Sequence, residues 1–369
     1  MTDIKLLVIG DIHFRQKFLI ECENFVEKCL AKANELDPDV IVLLGDQLDT
    51  HERADVKSYK FLYELMCGLS NITHTYVIMG NHDMAKTSNS LTTDHFYHPY
   101  KRWENVTIVD RPIIGRHTVT DKRDKHSVDY DFVFTPYVGP GKLLDCLDML
   151  DREKWSARTT RCVFAHQTIR GVVRDYMNVG DNTDTDEYDS WLEEFPPMIS
   201  GHEHRAQYVN PNVYYPGNSL QHSHRDPGDR VIWLVTFKEN NLGSKRIDHE
   251  KIRLDIKDKR SQTIDVEESE NFDWEMLEYY DLQIVIDDTM DNIIKFKAGE
   301  VYTRMLRCGI MVTFDVKDIS ISNDNEDDED QGNEGKNNLT EDENMLVILK
   351  RLVDEKSDGV KDVYKKYFN

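Results

Sequence analysis

Residues 75–83 read T-Y-V-I-M-G-N-H-D, an apolar run that ends in a glycine and then places Asn81, His82 and Asp83 side by side. The run has the length of a buried strand. An amide oxygen can bind a hard cation, an imidazole can donate a proton, and a carboxylate can orient that imidazole. Together these groups suit phosphate chemistry, although an Asn-His pair after a strand is also common in ordinary turns. The rest of the chain decides between the two.

The same pattern of an apolar run, a glycine and a polar ligand type occurs twice more upstream. It comprises residues 4–10 before Asp11 and His13, and residues 40–45 before Asp46. Between these runs, residues 17–36 and 55–69 carry apolar residues at helical spacing. Alternation of buried strands with helices predicts an α/β fold with a mainly parallel sheet and helices on its face. Such sheets place ligands at the carboxyl ends of their strands.

Further along the chain, shorter β-like runs at residues 106–109, 113–119 and 130–138 suggest a second sheet. Two more apolar runs deliver histidines: residues 161–165 precede His166, and residues 197–200 precede His202 and His204. Residues 281–316 have the pattern strand, helix, strand, which predicts a small α+β unit. Residues 323–343 hold ten acids and one lysine and are predicted to be disordered. Apolar residues at helical spacing follow.

Composition excludes several classes of protein. The chain has 369 residues, and its longest apolar runs fall well short of the ~20 residues that a membrane span needs. No apolar signal region follows Met1, so we expect an intracellular protein, cytoplasmic or nuclear, that is not secreted. Six scattered cysteines form no C-x-x-C pair and favour reduced thiols. The net charge of −23 argues against a general nucleic-acid coat, so nucleic acid would bind through local patches or through metal ions.

Seven side chains at the ends of apolar runs have the chemistry of metal ligands. They are Asp11, His13, Asp46, Asn81, His166, His202 and His204. They would fill two metal sites if Asp46 bridged them, and their mixed nitrogen and oxygen donors suit Mn²⁺, Fe or Zn²⁺ better than Mg²⁺. Two such ions can promote in-line displacement at phosphorus. His82 is then left to hydrogen-bond a phosphate oxygen or to protonate the leaving group, with Asp83 orienting its ring.

The motifs resemble those of calcineurin-like metallophosphoesterases. The matching residues are Gly10-Asp-Ile-His13, Gly45-Asp46, Gly80-Asn-His-Asp83, His166 and Gly201-His-Glu-His204. Within that superfamily the chain most resembles the SbcD-type nucleases of DNA double-strand-break repair. The further matches are Gly45-Asp-Gln-Leu-Asp49-Thr, His166-Gln167, Arg170-Gly171 and Tyr215-Pro-Gly-Asn-Ser219. Gln47 departs from the apolar residue usual in that family.

The resemblance implies a two-sheet sandwich flanked by helices, with two divalent ions, preferably Mn²⁺. It assigns Asp11, His13, Asp46 and His204 to one ion and Asp46, Asn81, His166 and His202 to the other, with His82 as the catalytic histidine. It also implies DNA as substrate, an SMC-like ATPase as partner, and a homodimer. The implied organisation is a nuclease domain at 1–240, a capping domain at 250–320, an acidic linker at 321–343 and a partner-binding helical segment at 344–369.

Two alternatives remain at this point. The first is a phosphatase of the same fold that acts on nucleotides or phosphoproteins; Thr50 and Asp83 stand where protein phosphatases carry Arg and Glu. The second is a non-catalytic scaffold, which predicts missing ligands. Arg15, Lys17 and Arg170 are candidates for contacts with a phosphate backbone, and each has the alternative of an ordinary solvated charge.

Overall fold

The computed structural model describes residues 2–49, 53–85, 91–174, 177–178, 188–224, 226, 228 and 230–317. The predicted acidic linker at 321–343 and the predicted helical segment at 344–369 lie outside the described residues. Within the described ranges, none of the helices combines the length and the apolar character that crossing a bilayer requires.

The described residues form seventeen strands and seven α-helices. The strands are β1 (Ile4–Ile9), β2 (Val40–Leu43), β3 (Thr75–Ile78), β4 (Val106–Val109), β5 (Ile113–Thr120), β6 (Ser127–Phe134), β7 (Cys162–His166), β8 (Val173–Arg174), β9 (Met177–Asn178), β10 (Met198–Gly201), β11 (Gln207–Val209), β12 (Val213–Tyr215), β13 (Ile232–Phe237), β14 (Asp248–Ile252), β15 (Asp258–Ile264), β16 (Tyr280–Asp288) and β17 (Met311–Val316). The helices are α1 (Leu19–Leu36), α2 (Val56–Ile72), α3 (Leu143–Leu147), α4 (Val266–Ser269), α5 (Met276–Tyr279), α6 (Met290–Lys297) and α7 (Glu300–Arg307).

Two six-stranded sheets form the core. The first has the order β14-β13-β1-β2-β3-β4, and the second has the order β11-β12-β10-β7-β6-β5. Strands β1 to β4 run parallel, and β7 is parallel to both β6 and β10. The predicted α/β class with two sheets and flanking helices is confirmed. One detail was wrong: residues 106–109 form β4, which extends the first sheet by pairing with β3 and does not belong to the second.

Alternate side chains of the central strands point to opposite faces, and both faces are buried. Leu6 and Val42 pack between the sheets with Phe132 of the second sheet. Leu7 and Ile41 face the helices α1 and α2. This double burial explains why the strand sequences read as continuous apolar runs.

The two helices that cover the first sheet have clear boundaries. α2 begins after Asp55, whose carboxylate accepts hydrogen bonds from the amides of Lys57 and Ser58 at 3.0 and 2.9 Å. α1 ends at Leu36 and is followed by Asp37, which has a left-handed backbone, and by Pro38. These two ends follow the usual rules for helix caps, so local sequence indicates where α2 begins and where α1 ends.

The chain divides into two compact units. The first contains Met1–Arg260 and Glu275–Leu282, and the second contains Ser261–Trp274 and Gln283–Asn369, which the structure describes to residue 317. In the second unit β16 and β17 pair in parallel, with α6 and α7 between them in sequence. The predicted strand, helix and strand are therefore present. The single helix predicted between these strands is two helices, because Gly299 interrupts it.

Candidate metal centre

The candidate ligands gather at the carboxyl ends of the central strands of both sheets. Asp11 follows β1, Asp46 follows β2 and Asn81 follows β3, whereas His166 is the last residue of β7 and His202 follows β10. The parallel direction of these strands brings their ends together. The sandwich thus converts five separate sequence motifs into one cluster.

The backbone around the cluster is tightly fitted. A Cβ atom on Gly80 would lie 2.1 Å from the Asp46 Oδ1 atom, so only glycine lets the two loops approach this closely. His13, Asp46 and His202 have positive φ angles of 49°, 52° and 78°. Such backbone conformations are unfavourable for residues other than glycine and persist where the surroundings enforce them. Three of them among the candidate ligands indicate a site built at some cost in stability.

We call Asn81, His166 and His202 the Asn81 half of the centre. The Asn81 Oδ1 atom lies 2.7 Å from Nδ1 of His202 and 3.1 Å from Nε2 of His166. The two ring nitrogens are themselves 3.2 Å apart. Nδ1 of His166 lies 2.8 Å from the carbonyl oxygen of Leu44, which fixes the orientation of that ring. The ligand atoms of this half therefore converge on one point.

We call Asp11, His13 and His204 the His13 half. The ring centroids of His13 and His204 are 5.1 Å apart. Asp11 is fully buried and accepts a hydrogen bond from the backbone N–H of His202 at 3.0 Å. His222, which the sequence analysis did not select, lies in the same place, with its ring centroid 4.5 Å from that of His13 and 5.1 Å from that of His204.

Asp46 lies between the two halves. Its Oδ2 atom is 3.2 Å from Nε2 of His166 and 3.7 Å from Nε2 of His13. Burial would raise the pKa of Asp46, but the imidazoles of His166, His13 and His82 outweigh burial and hold it well below its ordinary value. Burial likewise would lower the pKa of His166, but Asp46 and Asp11 raise it to about 10. A carboxylate in contact with both halves is the geometry that a bridging ligand requires.

The donor atoms fit divalent cations. Asp11 Oδ1 and His13 Nε2 are buried and have no hydrogen-bond partner among the residues that the structure describes. Buried polar atoms ordinarily have a partner, and a cation would supply one here. Three groups of side chains place ligand atoms within 4.8 Å of one another: Asp46, His166 and His202; His13, Asp46 and His82; and His13, His204 and His222. Imidazole and carboxylate donors of this kind suit Mn²⁺, Fe and Zn²⁺.

His82 lies at the edge of the centre. Its backbone N–H donates to Asp46 Oδ1 at 2.8 Å, and its ring centroid is 4.8 Å from that of His13. His82 is partly exposed, whereas Asp11, Asp46 and His13 are at most 3% exposed. The ring therefore stands between the buried ligands and the solvent, where a substrate would approach.

Asp83 has a different role from the one that the sequence suggested. Its Oδ2 atom accepts from the backbone N–H groups of Asp46 and Gly80 at 2.8 and 2.9 Å, and its Oδ1 atom accepts from Gln47 N–H at 3.2 Å and the Tyr97 hydroxyl at 2.9 Å. Four donors use the acceptor capacity of the two oxygens. Orientation of the His82 ring by Asp83 is therefore corrected: the side chain points inward and ties the loops after β2 and β3 together.

The three candidate phosphate contacts are found in different surroundings. Arg15 is half-buried, and its guanidinium nitrogen lies 3.2 Å from Asp49 Oδ1, which is also 3.3 Å from His13 Nδ1. Lys17 is exposed and lies 5.5 Å from the ring of Phe18. Arg170 is exposed in the loop that follows β7. Arg15 is thus connected to the metal centre through Asp49, and contacts of all three with a substrate stay predictions.

Fold and site together define a metal-dependent phosphoesterase. The calcineurin-like phosphoesterase family matches residues 4–206, more than half of the chain. The chain therefore belongs to the calcineurin-like phosphoesterase family and is a metal-binding hydrolase of phosphate esters.

The related proteins are also described as phosphoesterases. The chain is 31% identical to "Putative phosphoesterase 078R" of Invertebrate iridescent virus 3 over 86% of its own length and 85% of the relative. It is 28% identical to "Putative phosphoesterase 244L" of Invertebrate iridescent virus 6 over 82% of its length and all of that protein. A solved phosphoesterase from E. coli, Yfce, aligns with 68% of this chain and all of its own at 11% identity and a TM-score of 0.30, which adds nothing to the assignment.

Proposed function

We propose that this protein is a two-metal-dependent DNA phosphodiesterase that processes DNA ends, together with an SMC-like ATPase. The observation that carries the catalytic part is the position of Asp46 between two groups of imidazoles, at 3.2 and 3.7 Å from His166 and His13. The support for DNA as substrate is the resemblance of residues 45–50, 166–171 and 215–219 to the SbcD-type motifs.

The side chains have separable roles in this reaction. Bound divalent cations, preferably Mn²⁺, would activate water and offset the charge that develops at phosphorus. Asp46 and Asn81 would hold the cations in place, because the Asp46 carboxylate lies beside His166 and His13 and the Asn81 oxygen lies beside His166 and His202. His82, at the solvent edge, would donate a proton to the leaving alkoxide. The partly exposed His202 and the exposed His204 line the same open side, so the substrate phosphate would approach there.

A nuclease assay on defined DNA ends tests this proposal. Metal-free protein should cleave labelled double-stranded or single-stranded DNA after Mn²⁺ is added, and chelator should stop the reaction. His82→Ala should reduce cleavage by about 100-fold or more while metal content stays unchanged, because proton transfer contributes roughly 10²- to 10⁴-fold. Gly139→Ala is a matched control, since a Cβ there meets nothing within 4 Å.

The same assay also distinguishes a nuclease from a phosphatase. Hydrolysis of phosphomonoesters, nucleotides or phosphopeptides with intact DNA would replace the nuclease proposal by the phosphatase. Retention of full activity in His82→Ala would assign the proton donor elsewhere.

The partner proposal needs its own test. We propose that residues 344–369 bind the ATPase and that the chain is a homodimer. A chain truncated after residue 317 should keep its metal content and lose association with the ATPase in a pull-down. Unchanged association would refute the role of the helical segment, and a monomeric mass in light scattering would refute the homodimer.

A further inference from the structure

His222 is a buried histidine that the family-like motifs do not include. It is 8% exposed and lies in the segment between β12 and β13. Its ligand nitrogen and those of His13 and His204 lie within 4.8 Å of one another. Ring centroid distances of 4.5 and 5.1 Å to these two residues place the three imidazoles in one cluster.

The loop that carries His222 is held by hydrogen bonds. The Asp226 carboxylate accepts from the backbone N–H groups of His222 and Ser223 at 2.9 and 3.2 Å and from the Ser223 hydroxyl at 2.9 Å. Gln221 donates to the carbonyl oxygens of Asp226 and Lys259 and accepts from the Lys259 N–H at 2.6 Å. A side chain on such a loop is fixed before any ligand binds, as metal ligands usually are.

The surroundings of the ring suit the neutral form that binds metals. The side-chain amide nitrogen of Asn218 lies 3.2 Å from Nε2 and 3.3 Å from Nδ1 of His222. A ring nitrogen that accepts from this amide could not bind a cation at the same time, because neutral imidazole has a single acceptor nitrogen. Exchanging the oxygen and nitrogen of the Asn218 amide, whose Oδ1 atom has no hydrogen-bond partner among the described residues, lets Oδ1 accept from one ring N–H and leaves the other nitrogen to bind the cation, as is usual for metal-binding histidines. Asn218 is itself 1% exposed and belongs to the Tyr215-Pro-Gly-Asn-Ser219 segment.

We propose that His222 is a third imidazole ligand of the cation at the His13 half, beside His13 and His204. This inference rests on the proposed two-metal centre and adds an eighth ligand to its seven. The consequence is chemical asymmetry: the His13 half would offer three imidazoles in addition to its carboxylates, whereas the Asn81 half offers two imidazoles and an amide. Imidazole-rich positions favour Zn²⁺ and other later divalent ions over Mn²⁺. His222 would thus set the metal preference of one position.

Calorimetric titration of the metal-free, full-length protein with Zn²⁺ and separately with Mn²⁺ tests the assignment. The wild type should bind two equivalents of each ion. His222→Ala should bind one equivalent normally and the other about 10- to 100-fold more weakly, which is at least the loss caused by removing a group that only supports a ligand. The loss should be larger for Zn²⁺ than for Mn²⁺. His126→Ala is the control, because His126 is exposed and pairs with Glu239 away from the centre.

A second variant distinguishes loss of a metal ligand from misfolding. His222→Gln keeps a polar side chain beside Asn218 and removes the imidazole, so it should show the same selective loss with a melting temperature near that of the metal-free wild type. Two normal equivalents in both variants would overturn the proposal, and so would normal metal binding combined with weaker DNA binding. Failure of the proposed nuclease function would appear separately, as wild-type protein that binds two ions and leaves DNA intact.

Discussion

The two halves of the metal centre are built in different ways. In the Asn81 half, each ligand ends or follows a central strand, and the ligand atoms already lie 2.7 to 3.2 Å from one another. In the His13 half, His204 and His222 come from loops, and their ring centroids lie 4.5 to 5.1 Å from one another and from that of His13, about the same as the 5.0 Å between the rings of His166 and His202. Strands fix the first half through the sheet ladders, whereas the second depends on the hydrogen bonds of its loops. Loops are the more variable part of a fold, so variation in metal preference is expected there.

Gly80→Ala should have the largest effect, because it would displace Asp46, which lies between the two halves. A Cβ at this position would meet Asp46 Oδ1 at 2.1 Å and the Asp46 backbone nitrogen at 2.5 Å. We expect both cations to bind poorly and the hydrolysis rate to fall by about 100-fold or more, as a misplacement of about 1 Å at a reacting centre can cause. Metal analysis and hydrolysis of a chromogenic phosphodiester measure these losses.

The control for this prediction is again Gly139→Ala, which should match the wild type in both measurements. If Gly80→Ala lost only one cation, Asp46 would serve one half and would not bridge the two.

Asp83→Asn should have an intermediate effect, and we expect it to lower the stability of the protein. The substitution places an NH₂ group against the N–H donors of Asp46 and Gly80 or against Gln47 and Tyr97. Loss of charge-assisted bonds and an unsatisfied donor should lower the free energy of unfolding by about 2 to 3 kcal/mol. Denaturation of the metal-free protein in urea measures this change.

Tyr97→Phe provides the scale for that measurement, because it removes one of the four bonds and should cost about 1 kcal/mol. Unchanged stability in Asp83→Asn, combined with a reduced rate, would favour the original expectation that Asp83 orients His82.

The sequence predicts the Asn81 half well and the His13 half less well, for physical reasons. A residue that follows an apolar run leaves the sheet at a known edge, so the pattern predicts that Asn81 and His166 lie close together, as they do at 3.1 Å. His222 and His224 stand two residues apart in a loop with no such pattern, and only the fold shows that His222 faces His13 while His224 lies 3.4 Å from Asp281. The two histidines after Tyr215-Pro-Gly-Asn-Ser219 were the one available signal.

The role of Asp83 was misread for a related reason. Adjacency to His82 in sequence suggested a partnership of side chains, but the turn after β3 directs Asp83 inward and leaves His82 at the solvent edge. Arg15 shows the same limit, because its contact with Asp49 follows from the chain path and from no spacing in the sequence.

Asp281→Asn should have the smallest effect, because it should weaken only the contacts that support the loop carrying His222. Asp281 lies 2.7 Å from the Lys259 ammonium and 3.4 Å from His224 Nε2, and Gln221 binds the backbone of Lys259. Lys259 keeps Glu21 as a second partner in the variant. Because Asp281 is about one-third exposed, we expect a loss of about 1 kcal/mol or less in the free energy of unfolding at pH 7.

The pH dependence of that loss identifies its origin. The His224 imidazole, together with Lys259 and against the effect of burial, holds the pKa of Asp281 below its ordinary value. A carboxyl whose pKa is depressed on folding stabilises the protein above its unfolded pKa of about 4, and this contribution disappears as the pH falls through the folded pKa. The difference between wild type and Asp281→Asn should therefore shrink as the pH falls below about 4. A difference that grew in that range would show that Asp281 does not act as a charged partner, and would leave the His222 loop supported by Asp226 and Gln221.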